Sequence, residues 1–224
     1  TALDWIGQWQ HRPDVVHVHD HHTGLIPFML SNCEQYRHLN QVPTVLTIHN
    51  AQYQGQFGWD KLHYLPSFDL VNTSKLDWSN AINPLASAIK CAWRVTTVSP
   101  SYLEEISHVA NGLEGLLAQE RGKSIGVLNG IDTEVWNPQK DQMITKTYSA
   151  KTLESGKKAN KEELCRVFNL DPTKPLYTFI GRLVGEKGAD LLPDIFYNAL
   201  AQSDGEINIL VLGSGDKQVE DRLN

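Results

Sequence analysis

Six short apolar runs recur along the chain, and polar or glycine residues follow each of them. Runs of this length are typical of buried strands in a parallel sheet. Helix-like stretches lie between several of the runs, and Ala189–Ala201 is the clearest of these because its apolar pairs recur at helical spacing. Strands that alternate with helices predict an α/β fold built on parallel sheets. The runs are Val15–Val18, Thr44–Ile48, Val95–Val98, Ile125–Leu128, Tyr177–Ile180 and Ile207–Leu212.

The alternation stops between Trp136 and Pro175, where Lys, Asp, Glu and Thr dominate and an amphipathic helix over Lys158–Leu170 is predicted. This break predicts a first domain over residues 1–140, a connection over 141–174 and a second domain over 175–224. The second domain has room for two strands, which do not make a stable parallel sheet. We therefore expect it to be truncated.

Composition narrows the class of protein. The 224 residues are 41% hydrophobic and 21% charged, as in soluble globular proteins. The net charge is −6 and there is no basic patch, which argues against a nucleic-acid partner. Three widely spaced cysteines favour a reducing compartment, so a cytoplasmic protein is expected. No apolar run approaches the ~20 residues that span a bilayer. A leader sequence is not visible, which is weak evidence because the chain starts at Thr1.

Polar residues stand directly after each predicted strand. In parallel sheets, ligands bind outside the carboxyl ends of the strands, so these residues are expected to face ligand. Loops are polar in any case, and the recurrence on strand after strand is what favours function. The candidate segments are the Asp20–His22 cluster, His49-Asn50, Ser99, Asn129-Gly130, 181–188 (GRLVGEKG) and 213–216 (GSGD).

The stretch GRLVGEKG predicts a diphosphate-binding loop. Its glycines let the backbone approach a ligand, and the helix that follows Gly188 presents an N-terminus that attracts anions. Arg182 offers a planar fork for phosphate and Lys187 a point charge. The loop is not a Walker A motif, because Gly188 stands where Ser or Thr would bind magnesium. GSGD lacks the third glycine of a dinucleotide fingerprint, since Gln218 stands there.

The stretch VVHVHDHHTG, residues 15–24, could be a metal site. On an extended strand His17, His19 and His21 would share one face, with Asp20 and His22 on the other. Three histidines at this spacing can bind zinc or copper. Metal-free strands also carry such pairs and no second ligand cluster is evident, so no metal is the preferred interpretation. His49, which ends its strand beside Asn50, is either a functional group or an ordinary hydrogen-bonded side chain.

The chain resembles bacterial glycogen synthases and plant starch synthases over nearly its whole length. The same blocks occur there in the same order and at similar spacing, and simpler retaining transferases share only the GRL…KG block. The blocks are HVHDHHTGLIP (17–27), TVLTIHNAQYQGQF (44–57), VTTVSPSYLEEI (95–106), EGLLAQERG (114–122), GVLNGIDTEVWNP (126–138), KKANKEEL (157–164) and GRLVGEKGADLL (181–192).

The resemblance implies two Rossmann-like, doubly wound domains in the GT-B arrangement. It implies transfer of glucose from ADP-glucose to the non-reducing end of an α-1,4-glucan such as glycogen, with retention at the anomeric carbon and no cofactor. Arg182 and Lys187 would hold the diphosphate and stabilise the charge that develops there. His49 would orient the sugar, and Asp20 would shape its site. The expected substrate-binding residues are His22, Asn50, Asn129, Gly130, Tyr53, Gln54, Gly213 and Gly215, with Tyr53 and Gln54 near the acceptor path.

Some positions depart from the family pattern. The family usually has Asn-Asp-Trp-His where this chain has His19-Asp20-His21-His22, so Asp20 and His22 are kept and His19 and His21 are replacements, expected to pack rather than bind. The lysine of the family's FLK-x-G block is missing from residues 84–88. A lysine-glycine loop and a glutamate motif of the family are absent, so the chain alone is expected to be inactive.

Other functions stay open. One is a degenerate glucan- or nucleotide-sugar-binding protein of the same fold, and another is a related retaining glycosyltransferase with a different donor. The choice between ADP and UDP, the acceptor length and the oligomeric state are not determined by these residues.

Overall fold

Parallel strands form the framework of the structure, a computed structural model that describes residues 2–223. The chain divides into two units, Thr1–Gly130 and Ile131–Asn224. This division does not test the predicted boundaries at 140 and 174, which stay a prediction.

The first unit contains a four-stranded parallel sheet in the order β1-β2-β5-β6. Its strands are β1 (Val16–His19), β2 (Thr44–Ile48), β5 (Arg94–Thr97) and β6 (Ser124–Gly126), and a short antiparallel pair is formed by β3 (Asp77–Trp78) and β4 (Ala81–Ile82). In register, His19 lies beside Thr47, and Thr47 beside Thr96.

Helices of the first unit pack against this sheet. The core is made of side chains such as Phe28, Leu46, Ile48, Leu85 and Val95, all inaccessible to solvent. The α-helices are α1 (Ala2–Ile6), α2 (Ile26–Asn32), α3 (Pro84–Cys91), α4 (Pro100–Ile106) and α5 (Glu114–Gln119). Short 3₁₀ helices cover His21–Thr23, Glu34–Leu39, Trp59–Tyr64, Leu70–Lys75 and Arg121–Lys123.

The second unit contains a two-stranded parallel sheet of β7 (Leu176–Ile180) and β8 (Asn208–Leu212). Its α-helices are α6 (Leu153–Phe168), α7 (Leu192–Gln202) and α8 (Lys217–Leu223), with 3₁₀ helices over Ala150–Thr152, Gly185–Lys187 and Ala189–Leu191. Its core is small and centres on Leu183, Ala189, Leu192 and Val219.

The predicted α/β class with parallel sheets is confirmed, and each predicted strand is present with its ends shifted by at most two residues. The amphipathic helix begins five residues earlier than predicted, at Leu153, and the helix predicted from Ala189 begins as a 3₁₀ turn before α7. The apolar run at β1 was expected to form a buried strand, and this is wrong for one of its faces. Val16 and Val18 are buried, whereas His17 and His19 are exposed on the other face.

The predicted alternation through the histidine cluster is also wrong beyond His19. Strand β1 ends there because Asp20 has a φ of 49°, in the left-handed region, and His21–Thr23 form a 3₁₀ turn. The rings of His21 and His22 therefore stack at 3.8 Å between centroids instead of pointing to opposite faces.

Candidate functional site

Asp20 joins the ends of the first two strands. Its Oδ1 accepts hydrogen bonds from the backbone N–H groups of His49, at 2.8 Å, and Asn50, at 3.3 Å. A non-glycine residue at positive φ is uncommon and costs conformational energy, so the two bonds hold Asp20 in a backbone state that it would otherwise avoid. The carboxylate thus positions the loop that carries His49.

In the loop after β2, every backbone N–H group from His49 to Gln52 donates a hydrogen bond to a side chain. The N–H of Ala51 donates to the Tyr102 hydroxyl at 2.9 Å, and that of Gln52 donates to Asn50 Oδ1 at 2.9 Å. Burial raises the pKa of Tyr102 and keeps this hydroxyl neutral. With its main chain fixed in this way, the His49 ring projects exposed from a rigid base.

Histidine rings form a row on the exposed face of the sheet. The rings of His17 and His19 lie 4.3 Å apart, and His19 Nδ1 is 3.0 Å from His49 Nε2. His17 Nε2 and the Thr47 hydroxyl form a hydrogen bond of 2.7 Å. The Thr47 hydroxyl also forms a hydrogen bond of 2.6 Å with Thr96 Oγ1. Burial lowers the pKa of His17, and the neighbouring rings of His19 and His49 lower it further.

The segment from Tyr53 to Gln56 lies against the histidine cluster. His21 Nδ1 hydrogen-bonds the Tyr53 carbonyl at 3.1 Å, and the His21 ring covers Gly55, whose φ is 69°. Tyr53 is half exposed, whereas Gln54 is 7% exposed.

The Gln54 side-chain amide links three segments of the first unit through hydrogen bonds. Its Nε2 donates to the carbonyls of Ala110 and Asn111, and its Oε1 accepts from Asn83 Nδ2 and Gln56 Nε2. All four hydrogen-bonding positions of the amide are used within the protein. These contacts give Gln54 a structural role, and its expected role near the acceptor stays a prediction.

The remaining candidates of the first unit also follow strands of the same sheet. Ser99 caps α4 by accepting from the Tyr102 N–H at 2.9 Å, as its position before Pro100 predicts. Asn129 and Gly130 are exposed beyond β6, and His22 is exposed beside His21. The structure thus places Asp20, His22, His49, Asn50, Asn129 and Gly130 beyond the carboxyl ends of β1, β2 and β6.

In the second unit, the loops after β7 and β8 run side by side. The N–H of Gly181 donates to Leu212 O, and the N–H of Leu183 donates to Ser214 O. A Cβ on Gly213 would lie 2.0 Å from the Gly181 carbonyl oxygen, and one on Gly215 would lie 2.4 Å from that of Leu183. Both glycines are therefore required by the close approach of two backbones, whatever they bind.

Arg182 and Lys187 are exposed on this pair of loops. Arg182 lies 3.6 Å from Glu186 in an ion pair, and Gly188 ends the turn with a φ of 65°. The cations share a glycine-containing loop after a parallel strand, as the sequence predicts, and their roles toward a phosphate stay predictions.

Sequence reasoning missed two residues of this site. Thr23 Oγ1 accepts from the His19 N–H at 2.7 Å and donates to the His19 carbonyl at 2.9 Å, and Tyr102 holds the loop after β2. The bond of Tyr102 joins segments 51 residues apart and gives no local signal, whereas the Thr23 contact is local but depends on the turn at Asp20, which the sequence did not predict.

Metal binding gains no support from the arrangement. Within residues 2–223, no group of three or more His, Cys, Asp or Glu side chains could hold a metal ion. The helices described there include none that is long and apolar enough to cross a membrane.

Taken together, parallel sheets with polar and glycine-rich loops beyond their carboxyl ends define a ligand-binding α/β protein. A family model described as the starch synthase catalytic domain matches residues 1–119, and the chain belongs to this family. The predicted family is thereby confirmed.

Named relatives agree with this assignment. The chain is 58% identical over 223 residues to a glycogen synthase of Flavobacterium johnsoniae, covering 100% of this chain and 47% of the relative. It is 41% identical over 230 residues to a glycogen synthase of Streptococcus uberis, covering 99% and 47%. The chain thus spans about half the length of the curated relatives it matches.

A solved structure is also similar. The catalytic domain of starch synthase IV from Arabidopsis thaliana, bound to ADP and acarbose, superimposes with a TM-score of 0.85 at 30% identity. The match covers 99% of this chain and 46% of that chain.

Proposed function

We propose that the natural protein containing this chain is a glycogen synthase. It transfers glucose from ADP-glucose to the non-reducing end of an α-1,4-glucan, with retention at the anomeric carbon. The observation that carries the proposal is the 58% identity, over the whole chain, to a protein named glycogen synthase. The protein works in the cytoplasm, without a cofactor and without nucleic-acid or membrane partners.

Arg182 and Lys187 bind the diphosphate of the donor in this proposal. Both side chains are exposed, and their loop follows a parallel strand. As the bond between glucose and the diphosphate breaks, negative charge grows on the leaving oxygen, and the two cations stabilise it more than they stabilise the ground state. The backbone of Gly213 and Gly215 lies beside the same loop and contributes to the binding surface.

His49 and Asp20 act on the sugar side. The exposed His49 ring orients the glucose and stabilises positive charge near its anomeric carbon, and Asp20 keeps that ring in place through the backbone of His49 and Asn50. His22, Asn50, Asn129 and Gly130 line the sugar site, and Tyr53 and Gln54 lie along the acceptor path.

Arg182→Ala in the natural gene product tests the donor assignment. We expect kcat for glucose transfer from ADP-glucose to glycogen to fall by roughly 10²–10³, the usual effect of deleting one transition-state charge contact. Arg222→Ala is the matched control, because Arg222 is also an exposed arginine in an ion pair, with Asp194, but belongs to no proposed site. An unchanged rate in Arg182→Ala would reject the assignment.

Removal of divalent ions tests whether the protein itself supplies the positive charge that stabilises the leaving diphosphate. Because Arg182, Lys187 and backbone N–H groups supply it in this proposal, transfer should continue in the presence of EDTA. Loss of transfer with EDTA, and its recovery on adding a divalent ion, would contradict the proposal.

A further inference from the structure

His19 is the one ring that contacts both other members of the histidine row. It stacks beside His17 and shares a ring-to-ring hydrogen bond of 3.0 Å with His49.

Both partners of that bond stand on fixed backbone. Thr23 contacts the N–H and the carbonyl of His19, and Asp20 contacts the N–H of His49. A hydrogen bond between two rings with anchored main chains restricts χ2 of His49, since rotating that ring would break the bond.

The bond depends on protonation. One nitrogen must carry a proton and the other must not, so the contact exists while at least one of the two rings is neutral. When both rings are protonated, two donors face each other and two positive charges repel. The pair therefore holds the His49 ring until both rings carry a proton, and the bond is then lost.

We propose that His19 is a positioning residue for His49, which it orients through the Nδ1–Nε2 hydrogen bond, and that double protonation of the pair releases the His49 ring. The inference rests on the proposed function for its effect on glucose transfer, but the hydrogen bond itself does not.

Other ionisable groups surround the pair. His17 and Asp20 face it from β1 and the end of that strand, and Tyr102 faces the same loop from α4. Arg94 projects from β5 on the same face of the sheet and stacks 4.1 Å over the Trp93 ring. A proton on His17 would add to the repulsion, so His17 needs its own control.

Three variants separate the bond from the charge. His19→Ala removes both. His19→Asn keeps a hydrogen-bonding atom at the position of Nδ1, because the amide of Asn branches from the same carbon, but it does not titrate. His17→Asn removes the neighbouring ring and leaves the His19–His49 bond intact.

Glucose transfer by the natural gene product is measured for each variant at about pH 7.5 and about pH 5.5. At the higher pH we expect His19→Ala to lower kcat by about three- to tenfold, the kinetic equivalent of one hydrogen bond, with KM for the donor nearly unchanged. His19→Asn and His17→Asn should stay within about twofold of the wild type.

On acidification, the loss of kcat should be about three- to tenfold smaller in His19→Asn than in the wild type, because the variant cannot form the doubly charged pair. If kcat falls by the same factor in His19→Asn and in the wild type, double protonation of the pair does not release the His49 ring. An unchanged kcat in His19→Ala would overturn the positioning role. If His19→Ala does not fold, the His19→Asn profile alone decides.

Histidine ring NMR separates this inference from the proposed function. In the ¹⁵N-histidine-labelled protein, two-bond spectra show which ring nitrogen carries the proton. Near pH 8, the ratio of the two His49 tautomers should be the same in the wild type and in His17→Asn, and it should differ in His19→Ala. The same ratio in the wild type and in His19→Ala would overturn the inference. Absence of glucose transfer in the wild type would refute the proposed function and leave the NMR result to decide on the bond.

Discussion

The candidate residues in the two units lie at equivalent places, beyond the carboxyl ends of parallel strands, yet they are held by different means. In the first unit, side chains hold the loop backbone, as Asp20 and Tyr102 do for His49 to Ala51. In the second unit, backbone hydrogen bonds join the two loops, Gly213 and Gly215 allow the approach, and Glu220 Oε1 adds one side-chain bond to the Gly215 N–H.

The difference shows how each loop can tolerate change. A side-chain anchor can be replaced by another acceptor of similar size, whereas a position where two main chains touch accepts no Cβ. We therefore expect the loops after β7 and β8 to be sensitive to added volume and the loop after β2 to lost hydrogen bonds.

The largest effect on stability is expected from Gly213→Ala. The new Cβ would lie 2.0 Å from the Gly181 oxygen, so the two loops must separate, at a cost of about 3 kcal/mol in the free energy of unfolding. Urea denaturation followed by circular dichroism measures it. Gly185→Ala is the control, since a Cβ there meets nothing within 4 Å. Equal stability of the two variants would refute the backbone-contact explanation.

Asp20→Ala should have the next largest effect. It leaves the N–H groups of His49 and Asn50 without their acceptor and keeps a Cβ at positive φ, so we expect a loss of about 2 kcal/mol in the same denaturation experiment. Asp20→Asn keeps an oxygen at the same position and tolerates the left-handed region, so it should cost less than about 1 kcal/mol. If both variants lose the same amount, the negative charge rather than the acceptor geometry holds the loop.

The smallest effect concerns His17. Because its pKa is lowered in the folded state, the unfolded state binds the proton more tightly, and the free energy of unfolding should decrease as the pH falls below the ordinary value of 6.5. The ring is exposed and water screens its neighbours, so the change should be under about 1 kcal/mol. His17→Asn should reduce this pH dependence, as measured by denaturation at several pH values. A steeper dependence in the variant would contradict the sign.

The sequence predicted the strands because their apolar runs are continuous, and it predicted Ser99 as a cap because Pro100 follows it. It did not predict the turn at Asp20, since nothing in the pattern distinguishes Asp20 at positive φ from an extended residue. Asp20 is held in this conformation by the hydrogen bonds that it accepts from the N–H groups of His49 and Asn50, which are 29 and 30 residues further along the chain.

The candidate site was predictable only in part, for the same reason. Position after a strand singled out His49 and Arg182, but it did not reveal that the amide of Gln54 is buried among protein partners. A polar side chain in a motif gives no sign of whether its hydrogen bonds are made inside the protein, because that depends on distant segments such as Asn83 and Ala110.

The saturated amide of Gln54 has an evolutionary consequence. Asn83 is inaccessible to solvent and donates to the Gln54 oxygen. A lineage that replaces Gln54 alone leaves Asn83 Nδ2 in the interior without its acceptor, whereas one that replaces Asn83 alone still leaves Gln56 as a donor to the Gln54 oxygen. Substitutions at position 54 should therefore be accompanied by substitutions at position 83 among descendants of this sequence, while position 83 is freer to change first.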